Sequence, residues 1–279
     1  MKKNRAFSLI ELSIVILIIG ILIAGVTQSS KLVGKMRLAS AKTQTQSSAV
    51  ASISNLVTWL ETTSDKSFDD AESSDGLSVT NWYDINPLLT PKNNASSSGA
   101  NRPVYKADCI NDLPCLEFTA ANSSYYDTSQ TISTPLQTTI FMVTSFKTLP
   151  GACCFALITS NGAFAARSLH FNVAASSQLN YVVNPGTNFL SGVSSLATAT
   201  NYVISMVDDN ATVTSYLNGA VLGTPLSISY GVRNLGILNI GGWFNGTVRA
   251  RYLDAYVSEI IIFDRSLKNE ERKAVETYL

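Results

Sequence analysis

Chemistry has few places to reside in this chain. Its 279 residues hold one histidine, four cysteines, and 20 acidic side chains against 20 basic ones. Hydrolysis of a glycosidic bond needs two carboxyls roughly 5–9.5 Å apart, which on one strand means alternate residues on the same face. No run of the form Glu-x-Asp-x-x-Glu occurs. Glu259 is the single acid of an apolar run, and Asp69-Asp70 and Asp208-Asp209 put neighbouring carboxylates on opposite faces or in loops. His170 lies within Leu-His-Phe, where a structural imidazole is expected, and no nucleophile-elbow motif is present. The chain is therefore not expected to be an enzyme. Sugar binding asks for less: an aromatic platform with amide and carboxylate groups at loop tips. Trp243 and Asn245, which follow Gly241-Gly242, and Tyr252 with Asp254 are the candidates by composition.

Balanced charge offers no basic groove, so nucleic acid is not an expected partner. Calcium is compatible with the many Asp and Asn oxygens, although no ordered ligand spacing is visible; no other cofactor is expected. A zinc site is disfavoured by the spacing of Cys109, Cys115, Cys153 and Cys154 and by the single histidine.

What must position any head chemistry begins with Phe7-Ser-Leu-Ile-Glu-Leu-Ser-Ile-Val-Ile-Leu-Ile-Ile-Gly-Ile-Leu-Ile-Ala-Gly-Val26, whose one ionisable side chain is Glu11. As a helix rising ~1.5 Å per residue, these twenty residues cover roughly 30 Å, the thickness of a bilayer's hydrocarbon core. A lone carboxylate at the bilayer centre costs about 2.5–3.5 kcal/mol, so Glu11 needs either the headgroup region or a partner. Before the span stands Met1-Lys-Lys-Asn-Arg-Ala6, a short basic leader; Lys31, Lys35 and Arg37 follow it, so the flanking charges alone do not set orientation.

This leader and apolar run closely resemble the N-terminus of the type IV pilin and pseudopilin family. The resemblance implies cleavage by a prepilin peptidase between Ala6 and Phe7, N-methylation of Phe7, and a role for Glu11 in docking against other pilin subunits. Ala6 departs from the family's usual Gly. The family also implies an inner-membrane precursor with its head in the periplasm, and a pilus or pseudopilus as the destination. In an oxidising compartment disulfides form. Cys109 and Cys115 close the shorter loop and are the first choice of pair, while Cys153 and Cys154, being adjacent, either cross-pair with them or stay reduced.

Apolar residues at spacings of three and four predict that the helix continues from 27 to about 60, with a polar neck over 43–48. Short β-type runs then recur, among them 138–146, 202–208, 213–217 and 257–263, many of them alternating as in the run before Asn218-Gly219, itself a hairpin signal. The expected fold class is α+β: a long helix, transmembrane in its first half, followed by an antiparallel β-sandwich. The expected domains are the leader 1–6, the helix 7–60 with its span at 7–26, and the head 61–279.

From about residue 56 onward the order of elements resembles the concanavalin-A-like, laminin-G-like jelly roll. The matching residues are Leu56-Val-Thr-Trp59 with Val79-Thr-Asn-Trp82-Tyr-Asp84, Leu116-Glu-Phe118, Ser215-Tyr-Leu-Asn-Gly219, and Ala255-Tyr-Val-Ser-Glu259-Ile-Ile-Ile-Phe-Asp264-Arg-Ser-Leu-Lys-Asn-Glu270. Within that pattern Trp82 is implied to be core and Asp84 a loop hydrogen-bonder. Together the two resemblances imply a minor pilin displaying a head that binds carbohydrate or a host or surface protein. A type II secretion pseudopilin and a membrane-tethered glycan-active enzyme are the alternatives.

Overall fold

The computed structural model describes residues 9–132, 136–151, 153–161, 169–175, 177–182, 189–191, 196–227 and 235–279. The expected cleavage and methylation site at Ala6 and Phe7 lies outside them. The chain opens on helix α1 (Leu9–Ser47), which carries Glu11 in its first turns. Its early apolar side chains lie open, Leu9 at 85 % and Leu17 at 63 % exposure. Among the described residues no helix is long and apolar enough to cross a membrane.

The helix ends at Ser47, not near residue 60 as the periodicity predicts. A 3-10 turn (Ala49–Ser52) follows, Asn55 turns the chain at φ +67°, and β1 (Leu56–Glu61) begins. The misreading has a physical cause. Val50, Ile53, Leu56 and Trp59 pack into one core and Leu60 into another, so β1 is apolar on both faces and lacks the alternation that distinguishes a strand. Its Val57, Thr58 and Trp59 favour extended backbone.

After β1 come β2 (Asn81–Trp82), β3 (Ala95–Ser96), β4 (Val104–Ile110), β5 (Leu113–Phe118) and β6 (Tyr126–Thr128). The middle of the chain supplies β7 (Thr138–Phe146), β8 (Cys154–Ser160), β9 (His170–Ala174), β10 (Leu179–Val182) and β11 (Phe189–Ser191). β12 (Asn201–Asp208), β13 (Thr212–Leu217), β14 (Ala220–Ser227), β15 (Leu238–Ile240), β16 (Trp243–Phe244), β17 (Arg249–Ala250) and β18 (Ala255–Phe263) follow, and α2 (Asn269–Tyr278) closes the fold.

The strands form two eight-stranded antiparallel sheets, ordered β14-β13-β12-β7-β18-β5-β4 with β1 added on β18, and β11-β10-β9-β8-β15-β6-β3-β2. Between them lies the main core, where Trp82, Phe118, Tyr126, Met142, Phe171, Ile204, Ile260 and Ile262 are buried. Odd and even residues of one strand serve different cores, as the two-residue repeat of a strand requires. Ile260 and Ile262 face the sandwich interior, while Ile261 and Phe263 face outward and are covered by Val275 of α2, Leu267 and the turn residues Val50 and Ile53.

Three details set up the sites below. First, β18 pairs with β7 along one edge, and on the other with β5 at residues 255–257 and β1 at 259–263, so that Glu259 lies opposite Glu61. Second, Asp84 stitches β1 to the following loop: Oδ1 accepts from the amides of Trp59 and Asn86 at 2.9 Å, and Oδ2 from the amide of Asn93 at 3.0 Å. Burial raises its carboxyl above the ordinary range, against the pull of those three amides. Third, Gly241 turns the chain at φ +73°, where a Cβ would lie 2.4 Å from the Phe118 ring. Only a residue without a side chain fits there.

Candidate functional site

The sequence candidates at 243–254 divide between two clusters. β16 and β17 form a small hairpin. Its turn takes up the oxygen of Asn245, which accepts from the amides of Thr247 at 2.9 Å and Val248 at 2.7 Å. The turn thereby occupies the carboxamide oxygen of Asn245, one of the residues expected at a ligand site. Trp243 is partly exposed and the Arg251 guanidinium stands 4.7 Å from its ring centroid. Gly242 lets two tyrosines approach: a Cβ there would lie 3.2 Å from Cβ of Tyr125 and 3.4 Å from Cδ1 of Tyr252. Across the hairpin Arg249 lies over Tyr125 at 3.7 Å and Phe244 at 4.7 Å. Its Nη1 and Nη2 donate to the two oxygens of Asp127 at 2.9 and 2.7 Å. Two cation-aromatic groups thus flank the hairpin, Arg249 with Tyr125 and Phe244 and Arg251 with Trp243, because successive strand residues such as Trp243 and Phe244 point to opposite faces; partly exposed rings of this kind are ones on which a sugar ring or planar group can stack.

Asp254 does not join this surface. Its Oδ2 accepts from the Thr148 hydroxyl at 2.7 Å and its Oδ1 lies 3.4 Å from Lys147 Nζ. Lys147 in turn reaches Glu117 at 2.7 Å, and Lys106 reaches it at 3.2 Å. Burial alone would raise the Glu117 carboxyl, but the two lysines outweigh it and hold it below its ordinary value. Asp254 is thus tied to the ion network of Lys147 and Glu117, while Tyr252 packs on Gly242. Arg249, Tyr125 and Asp127 were missed. The signal available was the alternation of cations and aromatics in Trp243-Phe-Asn-Gly-Thr-Val-Arg-Ala-Arg-Tyr252.

A second site has no counterpart in the sequence reading. A cleft of about 310 Å³ opens where α1, the end of β1 and the end of α2 meet, and Glu61, Glu259 and Tyr278 line it. Both oxygens of Glu61 are saturated: Oε1 accepts from the Ser64 amide and the Ser67 hydroxyl, each at 2.7 Å, and Oε2 from the amide and hydroxyl of Thr63 at 2.6 and 2.7 Å. Glu259 accepts on Oε1 from Trp59 Nε1 at 2.7 Å and from the Tyr278 hydroxyl at 2.9 Å. Desolvation and the facing Glu61 charge raise the Glu259 carboxyl to about 8, so at neutral pH it carries its proton. Burial and the neighbouring Glu259 push the Tyr278 phenol up as well.

The cysteines also separate. Cys109 and Cys115 form a disulfide that closes the turn between β4 and β5, whereas Cys153 and Cys154 are free thiols. Burial, followed by a hydrogen bond with Cys153, pushes the Cys154 thiol up to about 12. Among the described residues no group of three His, Cys, Asp or Glu side chains is placed to hold a metal ion.

Residues 1–27 match the prokaryotic N-terminal methylation motif, which marks a type IV pilin-type N-terminus. No curated protein matches the chain. Among solved structures it is similar to Trypanosoma rangeli sialidase, with a TM-score of 0.52 at 14 % identity over 80 % of this chain and 33 % of the sialidase. The same sialidase in complex with 2,3-difluorosialic acid gives 0.53 at 13 % identity over 80 % and 33 %. A mutant displaying trans-sialidase activity gives 0.53 at 14 % over 80 % and 32 %. The chain spans about a third of the length of the sialidase it matches, and at this identity the likeness shows the fold alone.

Proposed function

We propose that this chain is a type IV pilin-like subunit, a minor pilin, whose N-terminal helix inserts first in the inner membrane and then in a filament, and whose head binds a surface glycan or protein. The methylation motif over residues 1–27 carries the reading, because it runs directly into α1 and the open apolar residues of its first turns. On this reading a prepilin peptidase cuts between Ala6 and Phe7, the new Phe7 amine is methylated, and Glu11 meets a cationic partner from a neighbouring subunit. The transmembrane span is taken as 7–26, and the head as a laminin-G-like sandwich displayed outside the cell.

The head is read as binding and not hydrolysing. Glu61 has four donors on its two oxygens, which leaves no lone pair suited to attack an anomeric carbon or activate water. The partly exposed rings of Tyr125, Trp243, Phe244 and Tyr252 around the hairpin are the contacts offered to a ligand.

Mass spectrometry of the mature N-terminus tests the first half of the proposal. A polypeptide beginning at methyl-Phe7 supports it, and recovery of intact Met1 from cells with an active prepilin peptidase overturns it. Sheared surface filaments containing the subunit distinguish a pilus from a secretion pseudopilus. For the head, glycan and matrix-protein arrays probed with the full chain in detergent should give signals that Trp243→Ala abolishes.

A further inference from the structure

We propose that the cleft between Glu61, Glu259 and Tyr278 is a proton-operated latch between the stalk helix and the head: α1 stays seated while Glu259 is protonated and is released when that proton passes to water. The argument starts from what joins the two parts. Lys42 with Asp65 and Arg37 with Asp112 are ion pairs with at least one widely exposed partner, and such pairs contribute little. The buried part of the junction is Thr45, whose Oγ1 lies 3.1 Å from the Tyr278 hydroxyl and 3.5 Å from that of Thr63. Gln44 Nε2 adds a bond to the Tyr278 carbonyl at 3.3 Å. Tyr278 thus takes part in two of these three bonds, and its own hydroxyl donates to Glu259 at 2.9 Å.

The charges around Glu259 give the latch its direction. Glu61 faces it from β1 and Tyr278 from α2, while α1 presents the neutral Gln44 and Thr45, and β7 the apolar Val143. Among the described residues lining the cleft there is no lysine or arginine. Ionisation of Glu259 puts a second negative charge beside Glu61 in a desolvated site, and the hydrogen bonds from Trp59 and Tyr278, which favour the ionised form, do not outweigh those two costs. The strands that carry the two glutamates do not separate, because β1 and β18 are paired from Leu56 opposite Phe263 to Glu61 opposite Glu259. The walls that can yield are the end of α2 and α1, and their withdrawal admits water to both carboxylates. Seating is thus favoured at low pH and lost as pH rises through about 8, the value to which burial and Glu61 raise this carboxyl. The inference does not depend on what the head binds or on how the chain is processed.

Amide hydrogen exchange of the full chain in detergent micelles, measured from about pH 5.5 to about 9 and corrected for intrinsic rates, tests it. The protection of residues 41–47 should fall by up to about tenfold per pH unit around the Glu259 midpoint, while β7 and β18 stay protected. Glu259→Gln should hold the helix protected at every pH, and Tyr278→Phe should expose it at every pH. A carbon NMR titration of the wild-type Glu259 carboxyl should give the same midpoint as the exchange transition, which keeps the test independent of how the variants fold. A wild-type profile without a transition, an unchanged slope in Glu259→Gln, or two different midpoints would overturn the latch.

Discussion

Arg249 grips both oxygens of Asp127 while its plane lies 3.7 Å above the Tyr125 ring. The same group thereby neutralises a half-buried carboxylate and fixes the aromatic face. Lysine keeps the charge but has neither the fork nor the plane. Arg249→Lys should lower head stability by about 1–3 kcal/mol in urea denaturation and weaken whatever stacks on the face. Equal midpoints for wild type and variant would contradict this assignment.

Gly241 is packed too closely against its neighbours for any side chain. Alanine there meets the Phe118 ring and also adopts a left-handed backbone. Overpacking of about 1–3 kcal/mol adds to strain of about 1–2 kcal/mol, so Gly241→Ala should lose roughly 2–5 kcal/mol of stability. Thermal unfolding followed by circular dichroism measures the loss.

Two glutamates pull the pH dependence of stability in opposite directions. Hydrogen bonds from Arg265 lower Glu271 to about 2, against the ordinary 4.5 of an unfolded glutamate. Its contribution is present above pH 4.5 and lost as pH falls through 2; being at the surface, it should amount to only about 1 kcal/mol. Glu259, raised to about 8, contributes fully below pH 4.5 and loses that contribution as pH rises through 8, with a slope of up to about 1.4 kcal/mol per unit. Denaturation midpoints should therefore peak on the mildly acidic side. Glu259→Gln should flatten the alkaline limb and Glu271→Gln the acid limb.

The bridge from Cys109 to Cys115 closes a short loop. Chain-entropy arguments give such a loop about 2 kcal/mol, so replacing both cysteines by serine should lower the unfolding free energy from urea denaturation by about that amount. The turn also carries Asp112, which pairs with Arg37 of α1, so the variant should exchange faster around residue 37. Replacing Cys153 and Cys154, which are unbridged, should change neither quantity.

Local patterns reveal the strands, and only the assembled sheet reveals the cleft. Alternation in 213–217 and the Asn218-Gly219 turn, whose residues take φ +49° and +80°, are written within a few neighbouring residues. So is the pattern around Trp82 and Asp84, one fully buried and the other bonded to three amides. The partnership of Glu61 with Glu259 is not, because it depends on a register between strands from opposite ends of the chain. β1 was misread since a strand buried on both faces has no period of two to show. Trp243 and Tyr252 could be picked out by type, but the diversion of Asp254 to Lys147 depends on how the sheet places β7 beside β18.

The branching of β18 between β5 and β1 has a mechanical corollary. A tug on α1 is delivered to the head at Leu56, the first residue of a strand held antiparallel to β18 by register pairs from Leu56 to Glu61. Tension along that axis shears those pairs together, a tougher geometry than one in which they peel apart singly. A head held by its stalk in flowing liquid would thus be gripped through a central strand of the sheet, leaving the hairpin with Trp243 at its base free of the strain.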